Sequence, residues 1–371
     1  MTRSVYIHIP FCSSICSYCD FCKFIKNDEW TDKYLNALAS EIREKYRGEE
    51  IETLYIGGGT PSSLSIDELN KLFDILKLIK LANNYEFTFE CNIENIDEEK
   101  LNLLYKNGVN RLSIGVETFN DKFLLFLNRH HKMSDVFKRI DLAKKIGFNN
   151  INIDLMYALP DESLDDLRND LDNFLKLDIN HLSIYSLIIE EHTKIYNMRL
   201  KPIDEDLDYN MYELITSTLK QNGFHHYEIS NYAKSGFESK HNMVYWHNME
   251  YYGFGIGAAG YIDNIRYENT KSITNYLSGS YLKDEHILSL DEVISNEFIL
   301  GLRLIDGINK DDFFMKYHKN ILDNENVKKL LKEEKLLENE NYIYINPKYI
   351  YVSNDILVDL IWKKMIFMIK C

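Results

Sequence analysis

The stretch Cys12-Ser-Ser-Ile-Cys16-Ser-Tyr-Cys19 lies near the N-terminus and indicates both the chemistry and the fold of the chain. Its C-x3-C-x2-C spacing offers three thiolates, whereas a [4Fe–4S] cube usually takes four cysteine ligands. One iron would then stay open to a small molecule, to which the reduced cluster can pass an electron. We therefore predict that Cys12, Cys16 and Cys19 bind a [4Fe–4S] cluster.

Two other uses of these cysteines fit the sequence less well. A zinc site normally takes four ligands, often from two C-x2-C pairs, and no second pair follows here. Six cysteines in 371 residues, with no secretory leader expected, do not make a disulfide scaffold. The other three cysteines, Cys22, Cys91 and Cys371, show no pairing pattern.

Composition and charge exclude several classes of function. Hydrophobic residues make up 45% of the chain and charged residues 27%, which is typical of a soluble globular protein. A net charge of −15 argues against a nucleic-acid partner and against a polybasic membrane anchor. No apolar run is long enough to span a bilayer, and a strand-like run follows Met1 directly. We expect a cytoplasmic protein that does not insert into membranes.

Strand-like and helix-like runs alternate over the first half of the chain. About six β–α repeats of roughly 30 residues each predict a parallel sheet, because this is the length of a βαβ unit. Polar residues at the strand ends favour an α/β fold with a partial (β/α)6 barrel. A doubly wound sheet is the structural alternative that periodicity leaves open.

The boundaries of several elements can be predicted more closely. Ser65 can cap a helix that extends to about Leu81, and residues 85–90 alternate as a strand. Short helices from residue 292 and a hairpin over 341–352 predict a small α+β, winged-helix-like cap without a basic stripe. We expect a barrel with its extension over residues 1–265, a linker over 266–288 and the C-terminal cap over 289–371.

A glycine-rich loop follows the second predicted strand. Thr53–Ser63 reads TLYIGGGTPSS, and glycines after a strand let the backbone approach a ligand closely. The spacing matches neither a dinucleotide-binding fingerprint nor a P-loop. Glu90 and Glu117 fall at later strand ends, and Asp154 lies inside an apolar strand. A carboxylate there needs a partner, so Asp154 either forms a buried ion pair or contacts a ligand.

Together these motifs resemble the radical S-adenosylmethionine (SAM) proteins, which carry this cysteine spacing with an aromatic residue, here Tyr18, before the third cysteine. The sequence is most similar to the oxygen-independent coproporphyrinogen III oxidase group, and within it to the HemW-type haem chaperones. The similarity runs from Tyr6 to about Gly260. It rests on YIHIPFC, GGGTP, RLSIGVETF, NRHH, IDLMYALP, HLSIYSLIIEEHT, HYEISNYAKSG and KHNMVYW.

The resemblance implies that SAM binds beside the cluster inside the barrel. Motif by motif, it assigns the SAM contacts to Tyr6, Tyr18, Gly58, Gly59, Thr60, Glu90, Glu117, Arg129 and Asp154. The chain departs from the family where Glu117 replaces the usual glutamine, Ala158 a glycine, and Cys91-Asn92-Ile93 the usual Ala-Asn-Pro. These departures bear on SAM turnover and not on cluster binding.

Two features separate the branches of this group. The oxidases carry a fourth cysteine two positions after the third, where this chain has Phe21, as the chaperones do. The segment from His241 to Trp246, HNMVYW, fits the HNxxYW motif that the chaperones associate with haem. Imidazole is a common haem ligand, and tyrosine and tryptophan offer flat apolar surface. The resemblance thus assigns haem binding to His241, Asn242, Tyr245 and Trp246, with His181 and Cys22 as secondary ligand candidates.

The expected function is therefore that of a haem chaperone. It would bind haem, the [4Fe–4S] cluster and SAM, and would pass haem to acceptor haem proteins such as membrane-associated respiratory ones. A homodimer is compatible with this role. The alternatives are an oxygen-independent coproporphyrinogen III dehydrogenase, which decarboxylates its substrate by radical SAM chemistry, and a radical SAM methyltransferase. Whether the chain is an enzyme stays open at this point.

Overall fold

Strands and helices alternate along the computed structural model, which describes residues 2–201 and 203–360. The strands are β1 Ser4–Ile9, β2 Phe11–Cys12, β3 Phe24–Ile25, β4 Ile51–Gly58, β5 Leu81–Asn92, β6 Arg111–Glu117, β7 Ile151–Tyr157, β8 His181–Ser186, β9 His225–Glu228, β10 Asn231–Ala233, β11 Tyr252–Phe254, β12 Ala259–Ile262, β13 Ile265–Asn269, β14 Leu282–Ile287, β15 Ile308–Asn309, β16 Leu336–Glu338 and β17 Tyr342–Ile345.

Most of the helices connect successive strands of the main sheet. They are α1 Asp28–Lys45, α2 Ile66–Leu76, α3 Glu98–Lys106, α4 Asp121–Phe126, α5 Met133–Ile146, α6 Leu164–Lys176, α7 Lys194–Asn197, α8 Glu205–Gln221, α9 Lys240–Trp246, α10 Ile273–Leu277, α11 Leu290–Gly301, α12 Lys310–Tyr317, α13 Glu325–Lys332 and α14 Ser353–Leu360. Over the described residues, none of them is both long and apolar enough to cross a membrane.

The main sheet contains nine strands in the order β11-β1-β4-β5-β6-β7-β8-β10-β9. Strand β1 and strands β4 to β8 run parallel, and β11 adds a further parallel strand beside β1. At the other end, β10 and β9 are antiparallel. The predicted α/β fold with a partial (β/α)6 barrel is thus confirmed. Because β11 and β9 form the two ends of the order, this sheet does not close on itself through the described strands.

Helix α2 begins where the sequence predicts but ends earlier. Ser65 and Glu68 form a reciprocal capping box at its start. The helix stops at Leu76, and not near Leu81, which instead pairs with Ile51 of β4 as the first residue of β5. Strand pairing with β4 therefore overrides the helical spacing of the apolar residues in this stretch.

Residues 266–288, which the sequence analysis assigned to a linker, hold regular structure against the barrel. Strands β12, β13 and β14 form an antiparallel sheet. Tyr276 of α10 is fully buried in the main hydrophobic core. Its hydroxyl donates to Glu41 of α1 at 2.6 Å, and Asn269 donates to the same carboxylate at 2.7 Å. The division into barrel, linker and cap stays a prediction.

The C-terminal part has its own hydrophobic cluster, which includes Phe298, Phe313 and Leu357. Its hairpin consists of β16 and β17, so the prediction of a hairpin over 341–352 is wrong in its bounds. Strand β17 is followed by a 3₁₀ helix over Pro347–Val352, which Asn346 caps. Pro347 does not extend the strand because proline lacks the N–H group that strand pairing needs. The predicted cap continues to residue 371, and its last part, 361–371 with Cys371, lies outside the described residues.

Candidate functional site

A cavity opens at the carboxyl ends of the central parallel strands, where barrel proteins build their sites. It brings together all three motif cysteines and eight of the nine predicted SAM contacts. These residues are Cys12, Cys16, Tyr18, Cys19, Gly58, Gly59, Thr60, Glu90, Glu117, Arg129 and Asp154. Tyr6, the ninth, does not line this cavity in the described structure. Its hydroxyl lies 3.0 Å from His8 Nδ1.

The cysteine loop lies against hydrogen-bond donors from the barrel. Thr60 Oγ1 donates to Cys12 Sγ at 3.5 Å, and Arg129 Nη1 donates to Cys16 Sγ at 3.7 Å. The backbone N–H of Ser17 donates to the carbonyl of Leu127 at 3.0 Å and fixes the loop. Hydrogen-bond donors to sulfur stabilise thiolates and tune the reduction potential of a bound cluster, so this arrangement fits an iron–sulfur site.

Burial shapes the protonation of the cysteines. It raises the pKa of the Cys12 thiol, and it raises the pKa of Cys19 to about 11. Such thiols stay protonated at neutral pH unless a bound metal replaces the proton. Among the residues described here, no three His, Cys, Asp or Glu side chains converge closely enough to hold a single metal ion. A cube differs from a single ion because each thiolate binds a separate iron.

The glycine-rich loop fits so closely against its neighbours that side chains are excluded. Gly58 has φ +114, and a Cβ atom there would lie 2.5 Å from the His8 ring. A Cβ atom on Gly57 would lie 2.7 Å from Glu90 Oε1. In the observed arrangement, the Gly58 N–H donates to Glu90 Oε2 at 2.9 Å and Tyr55 donates to Oε1 at 2.8 Å. The loop thereby fixes the Glu90 carboxylate at the cavity.

Three acidic side chains share this cavity with one arginine. Burial raises the pKa of Glu90 to about 7 and that of Glu117 to about 7, and it also raises the pKa of Asp154. Asp154 accepts a hydrogen bond from Asn152 at 2.8 Å, while Arg129 pairs with Glu94 at 3.6 Å. A cation placed among these acids would recover the cost of their burial. The cavity is therefore suited to a positively charged ligand.

Sequence reasoning missed several residues that line the cavity or hold its walls. Tyr185 donates to Glu117 Oε2 at 3.1 Å, and Asn92 donates to Thr60 Oγ1 at 3.3 Å. Tyr185 is the penultimate residue of β8 and Asn92 is the last residue of β5, so their position near strand ends was the available signal. Glu94, which pairs with Arg129, lies in a short turn after β5 and had no such signal.

The HNMVYW segment forms helix α9, outside the cysteine cavity. His241 is 1% exposed, and both of its ring nitrogens have partners. Nδ1 lies 2.8 Å from Thr53 Oγ1, and Nε2 lies 2.8 Å from the Tyr245 hydroxyl. Burial lowers the pKa of His241 to about 3, so the ring is neutral. In this conformation, iron could reach His241 only if one of these two hydrogen bonds were broken.

The other haem candidates from the motif differ in their surroundings. Asn242 is half-buried, and its backbone N–H donates to Ser239 Oγ at 3.3 Å. The Trp246 ring lies 5.9 Å from the Arg303 guanidinium, and its indole N–H has no hydrogen-bond partner within the described part of the chain.

The two secondary ligand candidates, His181 and Cys22, make contacts with other residues of the barrel. His181 is fully buried, with Nδ1 2.6 Å from Asn152 Oδ1 and Nε2 2.8 Å from the Tyr227 hydroxyl. The carbonyl oxygen of Cys22 lies 2.7 Å from His8 Nε2, and the Cys22 side chain lies beside Gly257. Both residues thus contact other parts of the barrel in this conformation, and their role as haem ligands stays a prediction.

Comparison with known proteins identifies the family. Residues 6–174 match the model of the radical SAM superfamily. The chain is 41% identical to the haem chaperone HemW of Bacillus subtilis, covering 95% of this chain and 98% of that protein. It is 38% identical to HemW of Lactococcus lactis, over 95% and 96% of the two chains.

A solved structure agrees with the fold. The radical SAM coproporphyrinogen III oxidase HemN of Escherichia coli superposes with a TM-score of 0.85, covering 97% of this chain and 90% of that one at 23% identity. At this identity the likeness concerns the fold alone. The identity and coverage of the HemW relatives are decisive, and the chain belongs to the HemW family of the radical SAM superfamily.

Proposed function

We propose that this protein is a haem chaperone that binds haem and transfers it to acceptor haem proteins. The observation that carries this proposal is the similarity, over nearly the whole chain, to relatives named as haem chaperones. Phe21 supports it, because this side chain stands at the cavity rim where the oxidases would carry a fourth cysteine. The dehydrogenase and methyltransferase alternatives have no comparable support.

The cysteine cavity is the proposed site of the resident cofactors. Cys12, Cys16 and Cys19 would hold a [4Fe–4S] cluster through three of its irons, and the acidic side chains of Glu90, Glu117 and Asp154 line the same cavity. Together, the reduced cluster and SAM would supply radical chemistry, because one electron from the cluster can cleave SAM. SAM carries a sulfonium and an ammonium group, so its charge suits the carboxylates of Glu90 and Asp154.

The remaining residues of the cavity would hold and orient SAM. Thr60 and Arg129 already donate to the cysteine sulfurs, so they would fix the cluster relative to the ligand. Tyr18 and Glu117 lie on the same wall as Arg129 and complete the proposed contacts. Tyr6 does not line the cavity and would support the site indirectly, through its contact with His8.

Haem itself is the proposed cargo, and the HNMVYW segment with His241, Asn242, Tyr245 and Trp246 is the proposed haem region. The partners would be acceptor haem proteins, for which membrane-associated respiratory proteins are candidates. A homodimer is part of the same proposal. The cluster and SAM would then support folding, dimerisation or the transfer step.

Anaerobic reconstitution followed by two assays tests this function. The protein with its cluster is titrated with haem, and separately incubated with SAM, a reductant and coproporphyrinogen III. We expect a stable haem complex and no decarboxylated product. Formation of protoporphyrinogen IX without a haem complex would overturn the proposal in favour of the dehydrogenase.

Glu90, which is half-buried at the cavity, makes a pH-dependent contribution to stability. Its pKa is raised to about 7 by burial, so the folded state keeps a proton that the unfolded chain releases near pH 4.5. The favourable contribution is complete below the unfolded pKa and is lost as the pH rises through about 7. Glu90→Gln keeps an acceptor for Tyr55 but cannot ionise.

We therefore expect Glu90→Gln to gain stability relative to the wild type between about pH 5 and about pH 8, by on the order of 1–3 kcal/mol. Urea unfolding of both proteins, without SAM, at several pH values measures this difference. An exposed carboxylate such as Glu98 gives the control, because Glu98→Gln should show the same pH dependence as the wild type. A constant difference between Glu90→Gln and the wild type would contradict the expectation.

A further inference from the structure

A second cavity lies against the outer side of helix α9, near the amino ends of strands β1 and β4. Residues that line it include Arg3, Thr53, Lys240, Met243, His247 and Met249. Met243 and His247 are four residues apart, so they occupy the same face of the helix. The wall therefore combines an imidazole, two thioethers and two cations.

This cavity lies directly behind the histidine of the HNMVYW segment. Thr53 lines the cavity and also contacts His241 Nδ1 with its hydroxyl, at 2.8 Å. Val244, which is 8% exposed, forms another part of the wall. His241 is buried against Thr53, whereas His247, six residues further on, is exposed and lines the cavity.

We propose that haem binds in this outer cavity and that His247, not His241, ligates its iron. This inference rests on the proposed function, since it takes haem as the cargo. His247 can accept iron without loss of an internal contact of the barrel, while His241 would lose its bond to Thr53 or to Tyr245. Imidazole is an established haem ligand.

The rest of the wall suits an iron porphyrin. Met243 and Val244 offer apolar surface to the macrocycle, and thioether side chains adapt to flat apolar ligands. Lys240 is exposed at the rim and can pair with a propionate. Of the acids that line the cavity, Glu52 is paired with Arg3 at 2.5 Å and Glu250 accepts from the Asp263 N–H at 2.8 Å. Both acids are thus already engaged.

The position and exposure of His247 also suit a protein that must release its haem. The backbone carbonyl of His247 accepts a hydrogen bond from Lys316 of helix α12 at 2.8 Å, which fixes the end of α9. The side chain remains exposed, so an acceptor protein could replace it as iron ligand without unfolding of the barrel. A carrier that used His241 would have to open α9 for each transfer.

Haem titration of five proteins tests the inference: the wild type, His247→Asn, His241→Asn, Lys240→Glu and a control variant, His192→Asn. We expect His247→Asn to change the Soret band of the ferric complex and to weaken haem binding by about tenfold or more, because loss of even an outer-shell partner of a metal ligand costs about 10–100-fold in affinity. Lys240→Glu should weaken binding by a smaller factor and leave the band position unchanged. His192→Asn is the matched control, because His192 is also an exposed histidine outside both cavities.

The outcomes separate this inference from the proposed function. A wild type that binds haem, with an unchanged spectrum and affinity in His247→Asn, would overturn the ligand assignment and leave the chaperone function standing. Loss of the spectrum in His241→Asn, with a melting temperature equal to that of the wild type, would likewise overturn it. If the wild type binds no haem, both the function and the inference are wrong. Far-UV circular dichroism verifies that each variant is folded.

Discussion

Replacement of Cys12, Cys16 or Cys19 by alanine is expected to abolish the iron–sulfur cluster. Anaerobically reconstituted wild-type protein should contain about four irons per chain and show the brown absorbance of a [4Fe–4S] cube. Each variant keeps only two of the three thiolates, and a cube with two irons exposed to solvent is not retained. Iron analysis and the visible spectrum measure the loss directly.

Cys22→Ala is the matched control for these variants. Cys22 lies three residues after Cys19, and burial raises the pKa of its thiol as it does for Cys12 and Cys19. It does not, however, line the cavity that the three motif cysteines share. Iron content and spectrum should therefore be unchanged in Cys22→Ala. An unchanged spectrum in Cys12→Ala, Cys16→Ala or Cys19→Ala would refute the ligand assignment.

The second large effect concerns Glu41, a fully buried carboxylate in helix α1. It pairs with Lys45 at 2.9 Å and accepts hydrogen bonds from the Gly255 N–H at 2.9 Å, from Asn269 at 2.7 Å and from Tyr276 at 2.6 Å. Glu41→Ala removes the acceptor that these four groups share. Because it leaves the buried Gly255 N–H and the buried Tyr276 hydroxyl without their acceptor and removes the carboxylate beside the half-buried Lys45, the expected cost is about 3–5 kcal/mol.

Urea unfolding of Glu41→Ala, followed by circular dichroism, measures this cost. Glu44→Ala lies on the same helix and is exposed, so it should change the free energy of unfolding by less than about 0.5 kcal/mol. Glu41→Gln keeps an acceptor for Tyr276 and should fall between the two. A loss in Glu41→Ala no larger than that in Glu44→Ala would show that the contacts of Glu41 do not stabilise the fold.

The parallel sheet was predictable because its strands are short apolar runs separated by capped helices. Ser65, for example, marks the start of α2 by a capping box that depends only on residues three positions apart. The end of α2 was not predictable in the same way. It depends on the pairing of Leu81 with Ile51, a contact between distant residues that no local pattern encodes.

The candidate site was predictable as far as its motifs extend. Gly58 stands out in the sequence because it lies in a run of three glycines. The structure gives the reason, because a Cβ atom at this position would clash with the His8 ring. Tyr185 carries no motif and reaches Glu117 only through the folded sheet. The HNMVYW segment predicts haem binding, but it does not predict which way the His241 side chain faces. The burial of His241 depends on Thr53 of β4, which is distant in the sequence.

The first strand of the sheet is completed by residues that the ribosome adds much later. Val5 pairs with Tyr252, and Glu41 finds its last partner at Tyr276. Until that length of chain has been made, β1 has one open edge and Glu41 lacks most of its donors. The N-terminal half therefore cannot reach its final structure during synthesis by itself, and a truncation after residue 174 would divide a folding unit although it follows the limit of the superfamily match.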